Sequence, residues 1–215
     1  MAKPITVDFV SDVSCPWCFV GLGGLTQAID RLGDLVEVDI KFHPFELNPA
    51  MGPDGQNIVE HIAQKYGRTP EQAAAGRETL RERGAAAGVV IDTNDQRRIY
   101  NTFDAHRLLY WAGLGAGQPA LKRALLQAYF TEGRNPSDHD VLVDVARQVG
   151  LDGTAARDVL TSGRYADEVR AAEREWQSVG ITSVPAIILD RKYLISGGQP
   201  ADVFEQALRQ LATAA

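Results

Sequence analysis

The chain opens on a short β-branched and aromatic run, Ile5-Thr6-Val7-Asp8-Phe9-Val10, which predicts a strand over about 5–10. From Phe19 onward the rhythm changes. Leu22, Leu25, Ile29 and Leu32 recur on one helical stripe, so a helix is expected over about 16–32, ending at Gly33 in the C′ position. Val36 to Phe42 alternates apolar and charged residues and predicts a second strand. Pro44 and Pro49 close it off, and Met51-Gly52-Pro53-Asp54-Gly55 reads as a loop.

Between about 56 and 179 the pattern is helical. Ile58, Ile62 and Tyr66 lie four apart. Thr69-Pro70-Glu71-Gln72 combines a cap residue, a first-turn proline and Gln at N3, a capping-box signature. Val89-Val90-Ile91 suits an extended connector. Further stripes run through Ile99, Phe103, His106 and Tyr110, through Leu121, Leu125 and Tyr129, and through Val141, Val145 and Val149 behind Ser137-Asp138. Tyr165, Val169, Ala172 and Trp176 form another, ending at Gly180. Five or six helices in succession are expected. Beyond them, Ala186-Ile187-Ile188-Leu189 predicts a buried strand, Asp190-Arg191-Lys192 a turn and Tyr193-Leu194-Ile195-Ser196 its hairpin partner. A last helix carries Val203, Phe204, Ala207, Leu208 and Leu211.

The 215 residues allow one large domain or two small ones, and a hydrophobic fraction of 45% is ample for a core. A net charge of −6 without a basic run argues against a nucleic-acid partner. No apolar stretch approaches the ~20 residues of a membrane span. Met1-Ala2-Lys3-Pro4 leads straight into a strand without a leader pattern, so a cytoplasmic protein is expected, a leader lost in cloning being the alternative. In a reducing cytosol a Cys-X-X-Cys pair points to catalysis or metal binding more than to a structural crosslink.

The chain's two cysteines stand in Ser14-Cys15-Pro16-Trp17-Cys18, where the first strand turns into the first helix. Unpaired N–H groups and the dipole at a helix N-terminus favour an anion, so Cys15 is expected to have a lowered pKa, about 3.5–7.5. One turn later, Cys18 is positioned to attack a mixed disulfide formed at Cys15 and is expected to be the less exposed thiol. Pro16 suits a first helical turn. Trp17 offers a flat apolar surface to partners or simply packs into the core.

Strand, CPWC and helix resemble the active site of the thioredoxin superfamily. The stretch Ser11 to Gly21 resembles the DsbA-like FrnE branch, which is related to 2-hydroxychromene-2-carboxylate isomerases. Pro44 to Pro49, Asn101 to Leu108 and Gly180 to Pro185 extend the resemblance in order over nearly the whole chain. It implies an α/β, thioredoxin-like fold with a large all-helical insertion. Residues 1–52 and 180–215 then form a discontinuous thioredoxin-like domain, and 53–179 the inserted helical domain.

Beside the thiol pair, the resemblance makes Pro185 a cis proline with the Val184 backbone at Cys15, ready to pair with a substrate strand. Otherwise it is an ordinary trans proline at a strand start. Asp12 either accepts a proton from Cys18, raises the thiol pKa, or serves as a turn residue before the helix. The isomerase branch places the helix bearing His106 near the active-site groove, against the plainer reading of a satisfied core histidine. Arg107 binds an anionic substrate or forms a surface salt bridge. The remaining histidines are scattered, and no metal site is expected.

Three functions compete. The first is a thiol–disulfide oxidoreductase acting on protein or small-molecule thiols, with no bound cofactor beyond the redox-active pair. The second is a glutathione-dependent isomerase or transferase, with glutathione as co-substrate. Those relatives typically carry serine where this chain has Cys15. The third is non-enzymatic binding of a soft metal or a partner. The protein is expected to be a monomer or a homodimer.

Overall fold

The computed structural model describes residues 4–213. Strand β1 (Pro4–Ser11) carries the buried Ile5, Val7, Phe9 and Val10, and from Val7 onward every residue is buried. Helix α1 (Pro16–Leu32) follows after a four-residue turn, with Cys15 at its N-cap and Pro16 at its first position. Strand β2 (Glu37–Pro44) returns parallel to β1, pairing Pro4 with Glu37 and Ser11 with Pro44. Its residues up to Lys41 alternate between exposed and half-buried, as an edge strand allows.

Among the described residues seven helices separate this unit from the closing strands, one more than the upper expectation. A two-residue ladder joins β3 (Gln56–Asn57) to β4 (Arg98–Ile99), which takes Ile99 out of the helical stripe assigned to it. Helix α2 (Ile58–Tyr66) is capped by the Asn57 side chain. Helix α3 (Pro70–Ala86) starts on the expected Thr69–Gln72 capping box. After α4 (Phe103–Gly113) and α5 (Gln118–Phe130), α6 (His139–Gln148) begins at an Asp138 cap. Helix α7 (Gly153–Ser162) went unpredicted. It buries only Gly153, Ala156, Val159 and Leu160, a stripe too short and too poor in large apolar residues to stand out. Helix α8 (Ala166–Ser178) completes the set.

Strands β5 (Ala186–Leu189) and β6 (Tyr193–Ser196) form the expected hairpin, and α9 (Ala201–Thr213) ends the described chain. The main sheet has the order β2-β1-β5-β6, with β5 antiparallel to both neighbours.

Among the described residues three apolar clusters result. One joins β1, α1 and α9 to Ala87, Ile91, Leu126, Tyr129 and Phe130 of the helical stretch, and it contains Cys15 and Cys18. A second is built from α4 to α7 and takes in Val13, from the turn between β1 and α1. The third lies on the opposite sheet face, where Trp176 of α8 covers Val10, Ala186 and Ile188.

Candidate active site

The turn Asp12–Cys15 is held from two sides. Val13 is fully buried among the helices of the second cluster, while Cys15 and Cys18 belong to the first. The Cys15 N–H donates to Asp12 O at 3.3 Å, and the Cys18 N–H to Cys15 O at 3.1 Å. This places Cys15 at the mouth of α1, where exposed N–H groups favour negative charge, with Cys18 one turn deeper. Cys15 is 3% exposed and Cys18 0%. Burial pushes the Cys18 thiol well above its ordinary range. A contact with Cys15 adds to this, while Lys122 and the Asp12 backbone oppose it.

The Val184–Pro185 peptide bond is cis. The Cys15 thiol points at Val184 O, 3.7 Å away. Trp17 is half-buried against the first cluster, and its backbone lies beside Gly198.

Asp12 is fully buried yet well supplied with donors. Its Oδ1 accepts from the Ser14 N–H at 3.0 Å, and its Oδ2 from the Ser14 hydroxyl at 2.9 Å and the Leu47 N–H at 2.7 Å. His106 Nε2 stands 3.5 Å from Oδ1, too far or poorly aligned for a hydrogen bond, and has no hydrogen-bond partner among the described residues. Burial raises the carboxyl's pKa, but His106, Leu47 and Ser14 together overcome it and hold the pKa at about 2. Asp12 is thus an anion at neutral pH that shapes the turn and ties it to the 44–49 loop. The Lys65 ammonium fixes that loop from outside, donating to Leu47 O and Asn48 Oδ1, and Arg170 pairs with Glu46 and Glu173.

Arg107 makes the expected salt bridge, to Asp104 at 2.7 Å, but inside the fold and not at the surface. It is 3% exposed, and its guanidinium donates to Val159 O and Leu160 O in the last turn of α7, to Arg164 O and to Asp104. Those helix-end carbonyls attract a cation, so Arg107 is committed to the fold and faces no substrate. His139 completes this knot through Asp104 Oδ2 at 2.6 Å.

Lys122 of α5 was missed from sequence. It is 1% exposed, and its charge is felt by Cys18. The available signal was its place at the head of a Lys122, Leu126, Phe130 stripe, where Leu126 and Phe130 belong to the cluster that holds both thiols. A cavity of about 430 Å³ lies away from the thiols, between α1, the 87–90 connector and α5.

A four-stranded mixed sheet flanked by helices, with a Cys-X-X-Cys at the N-terminus of its first helix and a long helical stretch before the closing hairpin, defines the class: a thioredoxin-like fold with a helical insertion. The model of the DSBA-like thioredoxin domain matches residues 6–209, and the chain belongs to that family. A probable DsbA oxidoreductase of Streptomyces coelicolor is similar at 40% identity and a TM-score of 0.86, covering 96% of this chain and 89% of that one. The uncharacterized protein YwbO of Bacillus subtilis is 29% identical over 206 residues, 95% of this chain and 96% of that one. A 2-hydroxychromene-2-carboxylate isomerase shares the fold at 16% identity and a TM-score of 0.71, covering 96% and 95% of the two chains.

Proposed function

We propose that this protein is a thiol–disulfide oxidoreductase that works through the Cys15–Cys18 pair. Family membership supports disulfide chemistry in general. The observation that carries the specific reading is the placement of Cys15 at the N-cap of α1, with the buried Cys18 in contact one turn below. In the reductive direction the Cys15 thiolate attacks one sulfur of a substrate disulfide, and the other leaves as a thiolate. Cys18, as thiolate, then attacks the Cys15 sulfur. The mixed disulfide breaks, the second substrate sulfur leaves as a thiolate, and the pair is left oxidised. Run backwards, the same steps oxidise a dithiol.

Trp17 and the Val184 backbone flank Cys15 and are the proposed contacts for the substrate, with Pro16 and Pro185 shaping the two segments. Asp12 and His106 position the Cys15 turn. Glutathione is a candidate small-molecule substrate, since a protein of similar fold, the cytosolic disulfide reductase DsbM of Pseudomonas aeruginosa, has been solved with GSH. A cytoplasmic location belongs to the same reading. Among the described residues, no helix is long and apolar enough to cross a membrane.

The test is a pair of substitutions assayed on a model disulfide. Cys15→Ser is expected to abolish exchange, and Cys18→Ser to accumulate a covalent adduct at Cys15 visible by mass spectrometry. Full activity in Cys15→Ser would sink the reading.

A further inference from the structure

The main sheet has two edges, and the chain treats them differently. Strand β2 carries the exposed charges Glu37, Asp39 and Lys41. Its buried end is closed by the Gln118 side chain, which accepts from the Phe42 N–H at 2.9 Å and donates to Phe42 O at 3.1 Å, as a neighbouring strand would. Charge and covered backbone keep an edge from pairing with another chain. The other edge, β6, lacks both over most of its length. Tyr193-Leu194-Ile195-Ser196 holds no charge and no proline. Among the described residues no strand lies beyond it.

Register decides which groups stand open. The Gly197 N–H donates to Pro185 O at 2.9 Å, so in the antiparallel β5–β6 ladder Tyr193, Ile195 and Gly197 turn their backbone groups toward β5. Leu194 and Ser196 turn theirs outward. The Gln199 side chain donates to Ser196 O at 2.8 Å, which ends the open stretch. The Leu194 N–H, Leu194 O and the Ser196 N–H have no partner among the described residues. The side chains are open on both faces. Leu194, opposite Ile188 on the face that Trp176 covers farther in, is 54% exposed. Tyr193, on the other face beside the half-buried Ile195, is 55% exposed.

We propose that β6 is a self-pairing edge: two copies of this protein join antiparallel through Tyr193–Ser196, about a two-fold axis at Leu194, and merge their four-stranded sheets into one. In that register the two Leu194 backbones exchange N–H···O bonds, and the two exposed Leu194 side chains cover each other. Tyr193 packs across from the partner's Ile195, an aromatic and β-branched pair of the kind that stabilises a sheet. The cationic Arg191 and Lys192 fall opposite the partner's uncharged Gly197 and Ser196, so no like charges meet. A second copy is the occupant that fits, because the same short stretch supplies both sides of every pair, as an isologous contact demands. Four residues a side make a small interface, so the dimer dissociates in the range of about 1–100 µM. Strands β1 and β6 run parallel, each being antiparallel to β5. The two-fold axis therefore carries the two Cys15 turns to opposite ends of the joined sheet, and both stay open.

The test is sedimentation equilibrium of the full chain from about 1 µM to about 1 mM, a span that brackets the expected affinity. The apparent mass is expected to rise from one chain to two. Leu194→Pro removes an N–H that β5 does not use, so the fold stands and the dimer weakens at least about tenfold. Leu194→Lys sets two like charges together at the axis and acts the same way. Leu114→Lys, at another exposed apolar residue but behind α4, is expected to sediment as wild type. The register is read in a Cys15→Ser, Cys18→Ser background. There Leu194→Cys is expected to crosslink two copies on oxidation with diamide, since facing Cα atoms of a hydrogen-bonded antiparallel pair lie about 5.5 Å apart, within disulfide reach. Leu114→Cys is expected to stay uncrosslinked.

A wild-type chain that remains monomeric over the whole span, a dimer that Leu194→Lys leaves intact, or a dimer that Leu194→Cys does not crosslink would each overturn the proposal. Should Leu194→Pro not fold, Leu194→Lys and the crosslink decide.

Discussion

Asp12 is a buried carboxylate whose value to the fold depends on its charge. Its pKa is about 2 in the folded chain against an ordinary 3.8. A folded-state pKa below the unfolded one contributes stability that is present above the unfolded value and lost as pH falls through the folded value. The shift corresponds to about 2 kcal/mol, present at neutral pH and lost between roughly pH 4 and pH 2. Urea unfolding midpoints should show Asp12→Asn to be less stable than wild type at pH 7, with the gap closing toward pH 2. A constant gap across that window would show that the charge is not what matters. Arg107 offers a second residue-scale check. Arg107→Met removes the bonds to the α7 carbonyls and should cost on the order of 3 kcal/mol, while leaving disulfide exchange with a small substrate near wild type once folded. A selective loss of exchange without loss of stability would return Arg107 to the site. Cys15, Cys18, Asp12, His106, Val184 and Pro185 could all be named from sequence, and they lie together in the fold. Lys122 was missed: its stripe with Leu126 and Phe130 was the one available signal, and a lysine in a helix reads as solvated until α5 is seen packed against the thiol cluster.

At the scale of elements, α1 is the informative case. Its sequence holds Gly21, Gly23 and Gly24, each costing a helix about 1 kcal/mol relative to alanine. A Cβ at Gly23 would lie 2.4 Å from Ala87 O, and one at Gly24 2.6 Å from Gln199 O. The glycines therefore let backbone from the helical insertion and from the segment before α9 close onto the active-site helix. Gly24→Ala should lower stability by about 1–3 kcal/mol despite the gain in helix propensity. A thermal melt showing it more stable than wild type would mean that the Gln199 segment yields freely. The strands and the capped helices were legible because alternation, prolines and cap residues are local signals. Helix α7 was not, because small buried residues such as Ala156 give little periodicity. Ile99 was misassigned because the short β3–β4 ladder depends on a partner more than forty residues away.

At the scale of the molecule, the thiols sit where two cores meet. Cys15 and Cys18 are packed by the sheet and α9 from one side and by Leu126, Tyr129 and Phe130 from the other, and Val13 anchors the intervening turn in the helical cluster. The proposed division into residues 1–52 with 180–215 and residues 53–179 follows chain topology, while this shared packing predicts one unfolding event. Near-UV and far-UV circular dichroism should report the same midpoint in urea. Two separated transitions would mean that the insertion holds itself together without the redox half.

The account turns on Cys15 and Cys18 acting as one redox couple, and equilibration in graded glutathione buffers tests that most directly. After acid quench and alkylation, mass spectrometry counts the free thiols. The expected result is a single two-electron transition, in which both cysteines pass together from dithiol to disulfide with little glutathione adduct. Stable accumulation of glutathione on Cys15 with Cys18 remaining free would contradict it.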